Sequence, residues 1–263
     1  MTEANVPVVI FCGGEGTRMK GGTLTKKELV EIGGRPIIWH VMRIFSGFGH
    51  NNFVLPLGYE ARQIKRYFLN YEAMTRDFTV RVGRRENEIS YHGEESHPVW
   101  EVSLVDTGKR TDKASRVARV ADHLTGDRFF LTYGDGLSDI NINDLLAFHR
   151  AHGRLATITA VQPANYQYGI IEADDDGLIL RHEQYPSLPY WINGGFMLFE
   201  REALSYMQNG DDVPLETGVL QEMIADRQVM IYRHEGFWRS MDTLKDAIDL
   251  QKIWSDGAPW KVW

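Results

Sequence analysis

The sequence predicts an α/β fold around a mixed, mainly parallel sheet. Over the first 70 residues, segments with the apolar patterns of strands and helices alternate, as in domains with parallel sheets. Two apolar strands, 6–12 and 129–133, each run directly into a glycine-containing turn. The segments 78–82 and 100–105 instead alternate apolar and polar residues, which indicates antiparallel or edge strands. A mixed sheet is therefore expected.

The individual elements follow from local patterns. Pro36 provides a first-turn proline for a helix whose apolar residues recur at Ile38, Val41, Met42 and Phe45. Beyond Pro163 the segments become short and rich in turns. The same signals predict strands at 52–57, 156–160, 168–172, 178–180 and 192–199, and helices at 60–70 and 143–150.

Composition and charge exclude several classes of protein. The 263 residues are 43% hydrophobic and 25% charged, which is typical of a folded domain and not of a disordered or collagen-like chain. A net charge of −7 argues against attraction to nucleic acid or to an anionic membrane. With the single Cys12, no disulfide can form within the chain, and no secretion signal or membrane span is evident. We expect a cytoplasmic protein in which Cys12 is a packed core residue.

A glycine-rich turn follows the first strand and is the first candidate for binding. Gly13, Gly14 and Gly16 let main-chain N–H groups approach a phosphate chain, and Arg18 can add a bidentate contact. The turn lacks the third glycine of the dinucleotide fingerprint and the Gly-Lys-Ser/Thr of a Walker loop. It therefore indicates either phosphate binding or a tight turn without a ligand.

Two aspartates are candidates for a metal site. Asp135 follows the strand 129–133, at the edge where open α/β sheets bind ligands, and Asp242 lies among large apolar residues. If they meet, two ionised carboxylates require a cation, and Mg²⁺ suits oxygen ligands. The sequence alone does not show that they meet.

Together these motifs resemble a known family. The segments 13–18 and 29–37 resemble the signature of the sugar-1-phosphate nucleotidylyltransferases. The segments 133–136, 192–196, 236–243 and 258–261 are similar to the glucose-1-phosphate cytidylyltransferase branch of that family. The resemblance extends from end to end of the chain.

The resemblance implies a fold and an activity. The fold is the Rossmann-like, GT-A-like three-layer nucleotidyltransferase domain over 1–263, with a nucleotide-binding half at about 1–160 and an acceptor-binding half at about 161–263. The activity is an Mg²⁺-dependent reaction of CTP with a sugar 1-phosphate, which gives a CDP-sugar and pyrophosphate by in-line attack on the α-phosphorus. No nucleic acid or membrane partner is implied, and a homo-oligomer is left open.

The resemblance also implies roles for individual residues. Lys27 matches the catalytic lysine that neutralises charge at the α-phosphate, and Asp135 and Asp242 match the two Mg²⁺ ligands. Further nucleotide-binding residues are Gly13, Gly14, Gly16, Thr17, Arg18 and Arg116, of which Arg18 is also assigned to catalysis. The acceptor-binding positions are Tyr168, Gly169, Glu183, Gln184 and Asn193.

Three departures from the family pattern bear on the substrates. Gln184 stands where the family has a lysine for the acceptor phosphate, and a neutral amide cannot offset that charge. Glu28 replaces a proline after Lys27, and 112–115 lacks the two glycines that lie near the base in relatives. The missing cation could be supplied by Lys26, Lys109, Arg110 or Lys113.

These departures leave other functions open. The enzyme could act on a different phosphorylated or phosphonylated acceptor. A non-catalytic nucleotide-binding protein and a metal-dependent glycosyltransferase are further alternatives, although Lys27 together with the two aspartates argues for nucleotidyl transfer.

Other conspicuous motifs receive structural interpretations. The acidic run 174–177 is expected to be a solvated turn. His149 and His152 are expected to cap the C-terminal end of their helix.

Overall fold

The structure, a computed structural model, describes residues 5–14, 25–83, 88–93, 99–162, 169–184, 190–208, 210 and 212–263. The strands are β1 (Val8–Phe11), β2 (Glu31–Ile32), β3 (Arg35–Pro36), β4 (Asn52–Leu57), β5 (Phe78–Arg81), β6 (Glu88–Tyr91), β7 (Glu101–Asp106), β8 (Arg128–Tyr133), β9 (Gly136–Ser138), β10 (Ala156–Val161), β11 (Ile170–Ala173), β12 (Ile179–Glu183), β13 (Ile192–Glu200), β14 (Val229–His234) and β15 (Trp238–Ser240). The α-helices are α1 (Ile37–Ser46), α2 (Ala61–Leu69), α3 (Tyr71–Thr75), α4 (Lys113–Arg119), α5 (Ile142–His152), α6 (Leu220–Ala225) and α7 (Leu244–Ser255). Short 3₁₀ helices lie at Lys27–Leu29, Ala121–His123 and Arg201–Met207, and a π-helical turn lies at Leu215–Val219.

A seven-stranded sheet forms the centre of the molecule, in the order β14-β10-β13-β8-β1-β4-β7. Only β13 runs against its neighbours, β10 and β8, so the predicted mixed, mainly parallel sheet is confirmed. Strand β7 lies at the edge, as expected, but it is parallel to β4. The segment 78–82 does not join this sheet, because β5 pairs with β6 in a separate antiparallel hairpin.

Both faces of the sheet are covered, which gives three layers. Along β1, Val8 and Ile10 belong to one apolar core, and Val9 and Phe11 belong to the other. Residues of α1, α5 and α7 pack on the first face, and residues of α4 and α6 pack on the second. Strands buried on both faces read as continuous apolar runs, and this explains why β1, β4 and β8 were predictable.

The C-terminal segment packs on the body of the protein. Helix α7 begins with a capping box, in which the Thr243 side chain and Asp246 bond each other's backbone N–H. Trp260 is fully buried, and its indole N–H donates to Nδ1 of His40 at 3.4 Å. Nearby, the Gly33 N–H in the turn between β2 and β3 donates to Oε1 of Gln251 at 2.8 Å. The turn and α7 are thereby joined.

Several minor expectations can now be scored. Cys12 is fully buried, as predicted, and burial raises the pKa of its thiol. Asp174 accepts hydrogen bonds from the N–H groups of Asp176 and Leu178, which confirms the exposed turn. His149 and His152 lie in the last turn of α5, as predicted, but both rings contact the Thr157 hydroxyl on β10 at 2.7 Å and not the end of the helix. None of the described helices is long and apolar enough to cross a membrane.

Candidate active site

The glycine turn opens into a cavity beyond the end of β1. The cavity has a volume of about 410 Å³, and its wall includes Gly13 and Gly14. The other lining residues are Phe11, Lys27, Glu28, Lys109, Arg110, Thr111, Asp112, Lys113, Arg116, Tyr133, Gly134 and Asp135. The predicted phosphate-binding residues Gly16, Thr17 and Arg18 lie outside the described part of the chain.

Lys27, Asp135 and Asp242 meet beside this cavity. Nζ of Lys27 lies 2.6 Å from Oδ2 of Asp135 and 2.8 Å from Oδ1 of Asp242. Lys27 begins a 3₁₀ helix, Asp135 follows β8, and Asp242 directly precedes the cap of α7. The Met241 N–H donates to the Asp135 carbonyl at 2.9 Å, and Asp246 accepts from the Asp242 N–H at 3.0 Å. The backbone therefore holds the two carboxylates together.

The electrostatics of this group favour a charged lysine. Burial alone would lower the pKa of Lys27, but Asp135 and Asp242 outweigh it and raise that pKa above its usual value. One ammonium group therefore faces two carboxylates.

The two carboxylates also fit a divalent metal. A single cationic atom already contacts both, so Asp135 and Asp242 can share one cation. Within the described residues, no group of three or more His, Cys, Asp or Glu side chains could form a complete metal cage. Mg²⁺ is typically held by one or two carboxylates, with phosphate oxygens and water as further ligands. The donor set therefore matches a metal that binds together with a phosphate substrate.

Arg116 has a different environment from the one its assignment suggests. Its side chain is buried, and Nη1 donates to the Leu57 carbonyl at 3.1 Å, the Thr107 hydroxyl at 2.7 Å and the Gly108 carbonyl at 2.9 Å. A Cβ at Gly13 would lie 2.5 Å from this guanidinium, so a larger residue there would displace the Arg116 side chain. Arg116 thus supports the loops beneath the cavity, and its contact with the nucleotide stays a prediction.

A second polar cluster lies at the cavity wall and was not predicted. The Tyr133 hydroxyl donates to Oε1 of Glu216 at 2.6 Å, and Lys113 forms an ion pair with the same oxygen. Burial would raise the pKa of Glu216, but the hydrogen bonds from Lys113 and Tyr133 lower it below its usual value. Glu216 sits on the π-helical turn, an irregularity that often marks functional sites and has no simple sequence signature.

The predicted acceptor residues lie on β13 and the β11–β12 hairpin, and none of those described lines the cavity. Oδ1 of Asn193 accepts from the Gly195 N–H at 2.9 Å, and Glu183 pairs with Arg181. A Cβ at Gly169 would lie 2.9 Å from Oε1 of Gln184, so these two positions are adjacent. Tyr168 lies outside the described residues.

The four residues that could replace the family's acceptor-phosphate lysine lie in two different environments. Lys109, Arg110 and Lys113 line the cavity. Lys26 is buried, and its Nζ donates to the Gly14 carbonyl at 3.0 Å.

Comparisons with known proteins identify the family of the chain. A family model for nucleotidyl transferases matches residues 7–256. The chain is 35% identical over 257 residues to a probable glucose-1-phosphate cytidylyltransferase of Bacillus subtilis, a match that covers 97% of this chain and 99% of the relative. It is 38% identical to the glucose-1-phosphate cytidylyltransferase of Salmonella typhi, with 97% and 98% covered. A mannose-1-phosphate guanylyltransferase subunit of Dictyostelium discoideum is 29% identical, with 91% of this chain and 62% of the relative covered.

Solved structures show the same fold at low sequence identity. HddC from Yersinia pseudotuberculosis, complexed with GMP-PN, has a TM-score of 0.67 and 16% identity, with 95% of this chain and 99% of HddC covered. The inositol-1-phosphate CTP transferase of T. maritima has a TM-score of 0.66 and 15% identity, with 97% and 98% covered. The expected nucleotidyltransferase fold is thereby confirmed.

The family match also establishes the class of chemistry. The matched relatives are nucleotidyl-transferring enzymes, and the family generally uses a divalent metal ion. The chain therefore belongs to the nucleotidyl transferase family, as a sugar-1-phosphate nucleotidylyltransferase that is more similar to glucose-1-phosphate cytidylyltransferases than to the guanylyl-transferring relative compared here.

Proposed function

We propose that this enzyme is an Mg²⁺-dependent cytidylyltransferase, which converts CTP and a sugar 1-phosphate similar to glucose 1-phosphate into a CDP-sugar and pyrophosphate. The observation that carries the proposal is the meeting of Lys27, Asp135 and Asp242 at the cavity, in a chain similar over 97% of its length to glucose-1-phosphate cytidylyltransferases. The two-half division at about residue 160 and a cytoplasmic location stay predictions.

The cavity supports the nucleotide half of this reaction. Gly13 and Gly14 leave room for a phosphate chain, and Lys109, Arg110 and Lys113 add positive charge to the wall. An anionic triphosphate is therefore attracted locally, although the whole chain is acidic. Gly16, Thr17 and Arg18 are proposed to complete the triphosphate site.

Nucleotidyl transfer requires positioning and charge neutralisation more than covalent catalysis. A phosphate oxygen of the acceptor forms a bond to the α-phosphorus, and the bond from that phosphorus to the bridging β-phosphate oxygen breaks, which releases pyrophosphate. Lys27 is proposed to stabilise the negative charge that develops on the α-phosphate oxygens. Asp135 and Asp242 would hold Mg²⁺, which supplies electrostatic stabilisation and alignment of the phosphates when bound.

The ammonium group of Lys27 is assigned two contacts, with the aspartate pair and with the α-phosphate, and it cannot make both in one position. In the structure, its ammonium group lies 2.6 and 2.8 Å from the aspartate pair and neutralises it. During catalysis it is proposed to contact the α-phosphate instead. Binding of the metal and the nucleotide therefore has to release Lys27 from the carboxylates.

A second acceptor class is favoured by Gln184. This residue lies on the proposed acceptor hairpin, where an amide can donate a hydrogen bond to a phosphate or phosphonate but cannot offset its charge. The alternative function is thus the same cytidylyl transfer to a different phosphorylated or phosphonylated acceptor.

The proposed function is tested by release of pyrophosphate. The protein is incubated with each nucleoside triphosphate, Mg²⁺ and a panel of sugar 1-phosphates, other phosphate monoesters and phosphonates. We expect release with CTP and at least one acceptor, and a loss of about two orders of magnitude or more in D135N and K27A. D174N, on the exposed turn, is the matched control and should retain normal rates. No release with CTP and any acceptor would contradict the proposal.

A further inference from the structure

A buried glutamate forms part of the cavity wall beside Lys27. Glu28 is only 8% exposed and lines the cavity together with Gly134 and Asp135. It follows Lys27 in the same 3₁₀ helix, and a Cβ at Gly134 would lie 2.9 Å from Cγ of Glu28. The glycine thus leaves the space in which the glutamate side chain lies.

The carboxylate of Glu28 has an unused hydrogen-bonding oxygen. Among the residues that the structure describes, Oε2 has no hydrogen-bond partner. Nζ of Lys26 forms an ion pair with this oxygen at 3.5 Å, which is long for a hydrogen bond, and donates to the Gly14 carbonyl at 3.0 Å. Burial raises the pKa of Glu28, as expected where water is excluded. Since buried polar groups are normally hydrogen-bonded, an oxygen in a substrate cavity whose one described partner is this long ion pair indicates that a ligand donor completes it.

The chemistry of a nucleotide limits which group this donor can be. The phosphates carry acceptors and negative charge, so they are poor partners for a carboxylate. The ribose is bonded directly to the α-phosphate, and Glu28 is the chain neighbour of Lys27, which is assigned to that phosphate. The ribose hydroxyls are therefore the first donors that come within reach of Glu28, and the base amino group lies beyond them.

We propose that Glu28 accepts a hydrogen bond from the 2′- or 3′-hydroxyl of the bound nucleotide and so selects ribonucleotides that carry that hydroxyl. This inference rests on the proposed function, because it assumes a nucleoside triphosphate with Lys27 at its α-phosphate. A site built to pair with a hydroxyl rejects an analogue that lacks it. Glu28 is then a determinant of sugar recognition within the nucleotide.

The test compares CTP, 2′-deoxy-CTP and 3′-deoxy-CTP in both pyrophosphate release and calorimetric binding. For the wild type, we expect kcat/KM to fall about 10- to 100-fold with one of the two deoxy analogues, the range for a lost hydrogen bond to a charged group. E28L should lose a similar factor with CTP and no longer distinguish CTP from that analogue. E28Q, which keeps an acceptor oxygen, should show intermediate discrimination and covers the case in which E28L does not fold.

Two controls separate the inference from its alternatives. D174N, on the exposed turn, should retain the discrimination between CTP and the deoxy analogue. The inference would be overturned if E28L discriminated against both deoxy analogues as strongly as the wild type does. It would also be overturned if E28L, assayed with UTP as well, changed only its preference between CTP and UTP, since Glu28 would then contact the base. If pyrophosphate release fails with every acceptor, the binding measurements still test Glu28, since they need no acceptor. If CTP does not bind at all, both the proposed function and the role of Glu28 are refuted.

Discussion

Replacing Lys27 by methionine should abolish catalysis and yet tighten the binding of a divalent metal ion. Methionine is similar in length to lysine but lacks the ammonium group that contacts Asp135 and Asp242 at 2.6 and 2.8 Å. In the wild type, that ammonium group would repel a metal ion held by the same two carboxylates. The substitution leaves two carboxylates without a counterion, which is the arrangement that attracts a divalent cation most strongly.

The size of the effect follows from the charges. An ion that shares these two oxygens would lie within about 4 Å of the Lys27 ammonium. Repulsion between a single and a double positive charge at about 4 Å costs about 2 kcal/mol even with the dielectric constant of water. Since 1.4 kcal/mol corresponds to a factor of ten, K27M should bind the ion about 30-fold more tightly or better. Because the Lys27 side chain is only 14% exposed, the local dielectric is lower than that of water, and this value is a lower bound.

The assay is a titration of the metal-free protein with Mn²⁺, followed by electron paramagnetic resonance of the free ion, without nucleotide. K26M is the matched control, because Nζ of Lys26 contacts the Gly14 carbonyl and Glu28 and makes no described contact with either aspartate. K26M should bind Mn²⁺ like the wild type. The double variant K27M/D242N should lose the gain, since one of the two ligands is removed.

Two results would refute the reasoning. Equal or weaker Mn²⁺ binding by K27M would show that the ammonium group does not repel a metal ion held by the two carboxylates. A gain that persists in K27M/D242N would show that Mn²⁺ binds elsewhere.

Three further predictions follow from other parts of the structure. Burial lowers the pKa of His40 to about 4 and that of His149 to about 3, so the unfolded state binds more protons below pH 6.5 than the folded state does. The free energy of unfolding, measured in urea, should therefore fall by about 1.4 kcal/mol per histidine between pH 7.5 and 5.5. In H149Q the fall should be smaller by the contribution of that one histidine. R116A leaves three acceptors without their donor and should lower the free energy of unfolding by about 3 kcal/mol, which thermal denaturation would reveal; an unchanged midpoint would contradict the bonding described. Q184K adds a charge-assisted bond at the proposed acceptor site and should raise kcat/KM for glucose 1-phosphate about tenfold, whereas an unchanged acceptor profile would argue against a changed acceptor.

The sheet was largely predictable, because burial on both faces leaves a strong apolar signal in the sequence. The predicted strand 52–57 coincides with β4. The direction of a buried strand leaves no such signal in the sequence. The parallel direction of β7 and the antiparallel direction of β13 could therefore not be predicted. The segment 78–82 forms an antiparallel strand, as predicted, but its partner β6 was not predicted, since alternation describes a half-exposed strand and not the strand it pairs with.

Residue patterns alone indicated the glycine turn and the two aspartates as candidates, but the role of Lys27 was predictable only through resemblance. Lys27 and Asp242 are 215 residues apart, and no spacing rule connects them. In the sequence, Glu28 stands out only as a departure from the family's proline, and its burial left no signal there. Arg116 matched a nucleotide contact, whereas its described hydrogen bonds go to the chain itself, since a buried arginine and a ligand-binding arginine look alike in sequence. The surroundings of Glu28 and Arg116 depend on tertiary packing, which the sequence does not show.

The joining of α7 to the turn between β2 and β3 has a consequence for synthesis of the protein. A ribosome makes Lys27 and Asp135 long before Asp242 and the Gln251 side chain that bonds Gly33. A nascent chain can thus form β1, β4 and β8 and the glycine turn while the aspartate pair is still incomplete. Asp242 completes the proposed metal site only after 215 further residues have followed Lys27, so a product that ends before residue 242 would lack one of its two ligands.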